Sequence, residues 1–518
     1  MSNNISSATW LPTNIKNISV DTIKTLTQNE VRQMTTDQVH ALTALQVAAL
    51  PQKDVVILSG DQLKNMDVYS FTNTQLQGLS STQVSQFSDA ELQGMSNAEL
   101  GALTAKQISG LDVTQLSASQ FAAISPLSVA GLTNNQLKSL TSDQVSSITA
   151  SQASHLSAAQ LAALTDDSSN DVTNNITTNL SPATSLSVAA LAAINVKSLH
   201  GLHIKNLTSD QVAVLSASQI GGLSNDQLGS LTTDQLSNMS ASQLTKLTAT
   251  QISHIGNVDT GSSINDLSLD AFGSLTSSQI KGINTASMVH SLDADHVSAV
   301  ITKLTPVQIA ELTNGTDSSD GDFGRDITGG QLGQLTTTDL LSMSAKQLRS
   351  IPAANIASLN ADALGATTTV VQQFTTAQIA SLTGLDGSNQ VGSISSESIS
   401  QLSALQLKAL GANSAALSAS QIGAIDTRRT PLGPPPITGL DVAQMTVTGS
   451  YDALTDDQIA GLSSNQISTL NDSLSNELSS TGLGRLLKNQ AHAFIGNSSA
   501  FQVLDASKQA IINKIAGV

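Results

Sequence analysis

The sequence predicts an all-α solenoid, a superhelical coil of short capped helices, one per eight-residue repeat. Three observations predict it. The first is an octad, S/T-x-x-Q/E-L/I/V-x-x-L/I/M/F, which over residues 72–111 reads TNTQLQGL, SSTQVSQF, SDAELQGM, SNAELGAL and TAKQISGL and returns at 133–164, 208–255, 328–351 and 455–470. Repetition at a fixed short period marks an architecture stacked from small units. The second is the Ser/Thr and Gln/Glu pair three apart, the spacing of a capping box. The third is the pair of aliphatic positions that follows, again three apart, on one helical face.

In the octad 232–239 (TTDQLSNM), the Thr232 hydroxyl is placed to accept from the backbone N–H three residues on. The Gln235 side chain can return to the Thr232 N–H. Leu236 and Met239 supply the apolar face, and Ser240 caps the next helix, so none can be long. One continuous helix fails: eight residues at about 100° each drift the apolar stripe by about 80° per octad. A strand fails because the apolar positions fall three and five apart. Replacing Gln227, Gln235 and Gln243 with alanine is expected to cost about 1 kcal/mol each from the lost capping boxes. A single octad buries too little to stand alone, so neighbours must share a core. With aromatics at 2%, that core is aliphatic.

Residues 1–34 are expected to form an N-terminal cap, with Trp10, Ile15, Ile18 and Ile23 as anchors. Residues 35–426 form the octapeptide-repeat solenoid, with loop insertions near 165–207, 256–275 and 313–327. The stretch 427–450 holds three consecutive prolines in TRRTPLGPPPITGL and reads as a Pro-rich linker or rigid crossing. Residues 451–518 hold the last repeats and a C-terminal helical segment, where LGRLLKNQAHAFIG and FQVLDASKQAIINKIAG read as longer amphipathic helices. That segment is either a closing cap or a secretion signal or assembly contact.

The chain has 518 residues, no cysteine, 12% charged residues and a formal charge of −17. Its polar surface is therefore Ser, Thr, Asn and Gln. Absence of cysteine excludes disulfide staples and thiolate metal sites. Acidity with few Lys/Arg argues against nucleic acid as a partner. No apolar run approaches the roughly 20 residues of a transmembrane segment. The start, MSNNISSATWLPTNIKN, lacks the basic and apolar regions of a classical signal peptide. Export is expected to use another route, with an extracellular or cell-surface destination.

The best candidate for site chemistry is NGTDSSDGDFGRD at 314–326. Asp317, Asp320, Asp322 and Asp326 alternate with Gly and Ser, and hard oxygen ligands on a Gly-bearing turn suit calcium. The loop is not an EF-hand, because no Glu stands at the twelfth position; the alternative is a solvated acidic loop. No cofactor other than calcium is expected. Asp166, Asp167 and Asp171 form a weaker acidic cluster. His200 and His203 could share a surface but lack a Cys or acidic partner nearby in sequence. His155 and His254 occupy the variable place before the closing apolar residue and read as surface. No nucleophile elbow, P-loop or dinucleotide fingerprint is present, so an enzyme is not expected.

The reiterated text LSNDQLGSLTTDQLSNMSASQLTKLTATQI at 223–252 resembles bacterial octapeptide-repeat proteins of the secreted or cell-surface, adhesin-like kind, over most of 35–470. That resemblance implies a non-enzymatic structural or adhesive protein. Its expected partners are copies of itself, as a homo-oligomer, filament or layer, and a cell-surface polysaccharide or host protein. Composition alone is similar to harpins and other type III-secreted proteins, which implies the alternative: an interaction protein binding a host partner.

Overall fold

A computed structural model describes residues 12–64, 66–166, 182–256, 262–312, 330–385, 387–426, 436–440, 442 and 454–518. Among these, every regular element is an α- or 3-10 helix. The chain divides into two compact units, Met1–Ala271 and Phe272–Val518, each a stack of short helices.

The helices are short for the reason given by their caps. Thr233–Ser237 is five residues long: the Thr232 hydroxyl accepts from the Gln235 N–H at 3.3 Å, and Gln235 Oε1 accepts from the Thr232 N–H at 3.0 Å. The same reciprocal pair recurs from Thr27 with Glu30 to Ser463 with Gln466. Within the octad, positions four, five and eight are buried, while two, three, six and seven face solvent; Gln235, Leu236 and Met239 alternate with exposed Thr233, Asp234, Ser237 and Asn238. The core is the predicted aliphatic one, with Leu228, Leu231 and Leu236 fully enclosed.

Chopping a helix into pieces of about one and a half turns leaves many backbone groups without intrahelical partners. The buried glutamines resolve this at both ends. Gln235 Nε2 donates to the carbonyls of Ile204 at 2.9 Å and Leu207 at 2.7 Å. Gln75 does the same to Val47 and Leu50 at 2.8 and 2.7 Å, and Gln421 to Val391 and Ile394 at 2.8 and 2.5 Å. The acceptors are the fifth and eighth positions of an earlier octad. The fifth carbonyl already takes the N–H of the eighth residue, as Ile204 takes Leu207 and Val47 takes Leu50, both at 3.1 Å, and the glutamine is its second donor, while the eighth carbonyl is one that the short helix leaves open. For Gln235 and Gln75 they lie 31 and 28, and 28 and 25, residues back. One turn of the coil therefore takes about 28 residues, and 28 divided by eight is three and a half octads.

Where glutamine is absent, other donors take the rung. Ser128 reaches the Leu103 carbonyl at 2.7 Å, Ser398 reaches Thr367 at 2.8 Å, and Asn497 reaches Ile467 and Leu470 at 3.2 and 2.9 Å. Lys303 donates to the Gly273 carbonyl. Glu91 and Glu99 keep the cap but cannot donate, and both stay half-buried.

Several sequence expectations change in detail. Residues 182–206, expected within an insertion, carry the helical elements Pro182–Ser185, Val188–Ala193, Val196–Gly201 and Ile204–Asn206. This stretch lacks the rung glutamine but keeps the aliphatic pairs Leu191/Ile194 and Leu199/Leu202, all buried, and the pairs suffice to hold it in the stack. In 1–34, Val20–Lys24 and Gln28–Gln33 are ordinary capped octads burying Ile23 and Val31, Ile15 is buried, and Ile18 is half-buried. Trp10 lies outside the described residues. Of 427–450, Pro436–Gly439 is a 3-10 element that buries Ile437, and the carbonyls of Ile437 and Leu440 receive Gln466 at 2.9 and 2.7 Å. The C-terminal segment holds two longer helices, Lys488–Gly496 and Ala506–Ala516, but each expected stretch is broken: Leu483 ends the separate helix Ser480–Leu483, and Phe501 and Gln502 close Ser498–Gln502. Ala506–Ala516 ends at Gly517, whose φ of 81° suits glycine.

Candidate functional site

Asp317, Asp320, Asp322 and Asp326, the residues expected to hold calcium, lie outside the described residues, as do Asp167 and Asp171. Asp166 is described and pairs with Lys138 at 2.8 Å. His155 and His254 are exposed, and the Nδ1 of each bonds the carbonyl four residues back, Ser151 at 2.9 Å and Thr250 at 2.7 Å. His200 and His203 are both exposed, on neighbouring 3-10 elements. Among the described residues no group of three acidic, His or Cys side chains is placed to hold a metal ion.

What the fold presents outward is set by the octad. The rung consumes the hydrogen-bonding capacity of the glutamine, so the exposed face is left to the four variable positions. These are mostly Ser, Thr, Asn, Ala and Asp. Against that background Leu45, Leu127, Val307 and Leu405 are 70–74% exposed. All four occupy the third octad position, where other repeats place Asp37, Asp143, Asp226 or Asp234. In Phe272–Val518 a polar cleft is lined by Ser400, Gly423, Asp426, Thr455, Asp457 and Gln458. Arg485 pairs with Asp457, and Gln458 Nε2 is committed to the carbonyls of Ile422 and Ile425 at 2.6 and 3.0 Å.

Three rungs with unusual chemistry escaped the sequence reading, although each is visible as a substitution at the fourth octad position. His296 replaces Gln and is buried; its Nδ1 lies 2.7 Å from Asp293, and its ring meets Phe272 edge-on at 4.9 Å. Asp339 is buried but supplied with donors, the Thr336 N–H at 2.8 Å and the Ser298 hydroxyl at 2.6 Å. Asp54 is fully buried with no hydrogen-bond partner on either carboxylate oxygen. In the same unit, Tyr69 donates to the Ala90 carbonyl at 2.8 Å. Desolvation pushes that phenol above its ordinary value, and the charges of Glu91, Asp67 and Glu99 push the same way.

No family model and no curated protein matches the chain. Among solved structures, a chain of the full-length AP-3 complex in an intermediate open conformation, itself a homology model, aligns at 10% identity and a TM-score of 0.18, covering 99% of this chain and 93% of that one. The structure of APUM23-GGAAUUGACGG aligns at 10% identity and a TM-score of 0.15, covering 98% and 86%. Likenesses this faint carry no argument, and the solenoid assignment rests on the chain's own helices and rungs.

Proposed function

We propose that this chain is a non-enzymatic, secreted structural or adhesive repeat protein of the bacterial cell surface, which assembles with copies of itself into filaments or a layer. The observation that supports this reading is the division of labour in the octad. The buried polar side chains are spent on holding one turn to the next, and the outward positions of each unit form a sparsely charged surface of small polar residues with occasional exposed leucines. With only 12% charged residues, copies can meet over most of that surface without burying a charge, and the net −17 makes the contact tighter as salt rises.

Negative-stain electron microscopy of the untagged protein, with light scattering, tests the reading. Regular filaments or sheets and scattering that grows with concentration are expected. Discrete monomers at high concentration would overturn it and leave the host-binding alternative. The calcium proposal is tested on the same samples. Millimolar Ca²⁺ should raise the melting temperature, and the double change Asp320→Ala with Asp322→Ala should abolish the rise. A parent protein indifferent to Ca²⁺ would remove calcium from the account.

A further inference from the structure

The rung at Asp54 breaks the rule that the glutamine rungs follow. Each glutamine rung uses an oxygen to accept its own cap N–H and a nitrogen to donate to carbonyls one turn back. In the octad 51–58 (PQKDVVIL) both halves of that chemistry are missing. The cap is Pro51, which has no N–H to give and makes no side-chain cap bond. The rung is a carboxylate, which in its ionised form has nothing to donate. The side chain is nevertheless fully enclosed, and neither oxygen has a partner.

The neighbouring rungs show what faces it. Gln46 reaches the carbonyls of Ile15 and Ile18, both at 2.8 Å, 31 and 28 residues back. Gln62 reaches Met34 at 2.8 Å, 28 residues back. The same offsets from Asp54 fall on Ile23 and Leu26, the fifth and eighth positions of the octad capped by Ser19 and both buried. An ionised carboxylate opposite carbonyl oxygens in a dry contact is repelled; a neutral carboxyl carries the one O–H that the position needs.

We propose that Asp54 is a proton-closed rung. Its neutral carboxyl donates its one O–H to the Leu26 or the Ile23 carbonyl, directly or through one water, and its ionisation loosens the contact between the turn holding residues 19–33 and the turn above it. Charges around it do not replace the proton. Lys53 on the same helix favours the ionised form but points to solvent; the helix Gln28–Gln33 packed below carries Glu30 and Arg32, and Val20–Lys24 carries Asp21 and Lys24. The adjoining Gly60–Leu63 carries Asp61, and Asn73–Gly78 above carries no charge. Desolvation raises the Asp54 carboxyl above the ordinary carboxylate range, and Lys53 opposes this.

The sign follows from the direction of that shift. A carboxyl raised in the folded state contributes its stability fully below the unfolded-state value and loses it as pH rises through the folded value. Hydrogen exchange of the intact chain, corrected for intrinsic rates, tests the proposal at the amides of residues 52–58 and 22–26. In the parent protein the local opening constant should rise by up to about tenfold per pH unit across that window. Asp54→Asn and Asp54→Gln should show no such rise and match the parent at the acid end. Lys53→Gln, which removes the charge that favours ionisation, should move the rise to higher pH. A parent opening constant flat with pH, or the same slope in Asp54→Asn, would overturn the proposal. Should the Asp54 variants fail to fold, the parent profile and its displacement by Lys53→Gln still decide it.

Discussion

Replacing Gln235 with alanine should destabilise the protein by about 2–4 kcal/mol, and replacing it with glutamate should cost more, about 3–5 kcal/mol. Capping alone gives about 1 kcal/mol, the value that the sequence predicts for Gln227, Gln235 and Gln243. The structure raises it. These three side chains are 9%, 2% and 3% exposed, and each donates to two buried carbonyls of the previous turn. Alanine therefore leaves the Leu207 carbonyl and the Thr232 N–H unpaired at once, and strips the Ile204 carbonyl of one of its two donors, the other being the Leu207 N–H at 3.1 Å. Glutamate keeps the cap acceptor but sets a buried charge against the same two carbonyls. Chemical denaturation followed by circular dichroism measures the loss. Because long repeat arrays can unfold in parts, exchange at the amides of 204–208 and 233–237 should locate it. A loss near 1 kcal/mol, with glutamate no worse than alanine, would reduce the glutamine to a cap and remove the ladder from the account of stability.

Gly131→Ala is the second large effect, for a steric reason. A Cβ built on Gly131 would sit 1.7 Å from the carbonyl oxygen of Ala105, the first residue of the helix Ala105–Ile108. Gly201 stands in the same relation to Ala158, and Gly439 to Ala404, each at 1.9 Å. All three glycines end or nearly end a 3-10 element lying on the first residue of a helix from an earlier turn. The obstacle is backbone, so it cannot rotate aside, and a loss of about 1–3 kcal/mol or more is expected. Gly496→Ala is the control: its Cβ would meet nothing within 4 Å at the end of Lys488–Gly496, and alanine there should be neutral or stabilising by up to about 1 kcal/mol. Thermal melts of the two variants separate the cases. Equal melting temperatures would show that the turns slide apart without cost.

The parts of this protein legible in its sequence are those whose physics is local. The Thr232 and Gln235 capping pair, the Leu236 and Met239 face and the break before Ser240 all lie within one octad, so helix length, helix start and core composition follow from it. The longer helix Ala506–Ala516 was legible for the same reason, through its own amphipathic sequence, although its start at the Asp505 cap was not. The carbonyls that Gln235 reaches lie 31 and 28 residues away, and nothing within an octad says which earlier octad will come to rest beneath it. That depends on how far each short helix turns the chain, a sum over three or four junctions. The burial of Asp54 depends on the same sum. Its place as a carboxylate in a glutamine position is plain in Pro51-Gln52-Lys53-Asp54, but its loss of water is not. Residues 182–206 make the converse point: read by their missing glutamines they look like a loop, yet Leu191, Ile194, Leu199 and Leu202 are enough to fold them in. Sequence by itself determined the unit, because caps and apolar pairs act over three to five residues. Tertiary structure alone decided the pitch, the second role of the glutamine and the isolation of Asp54, because each is a contact between turns about 28 residues apart.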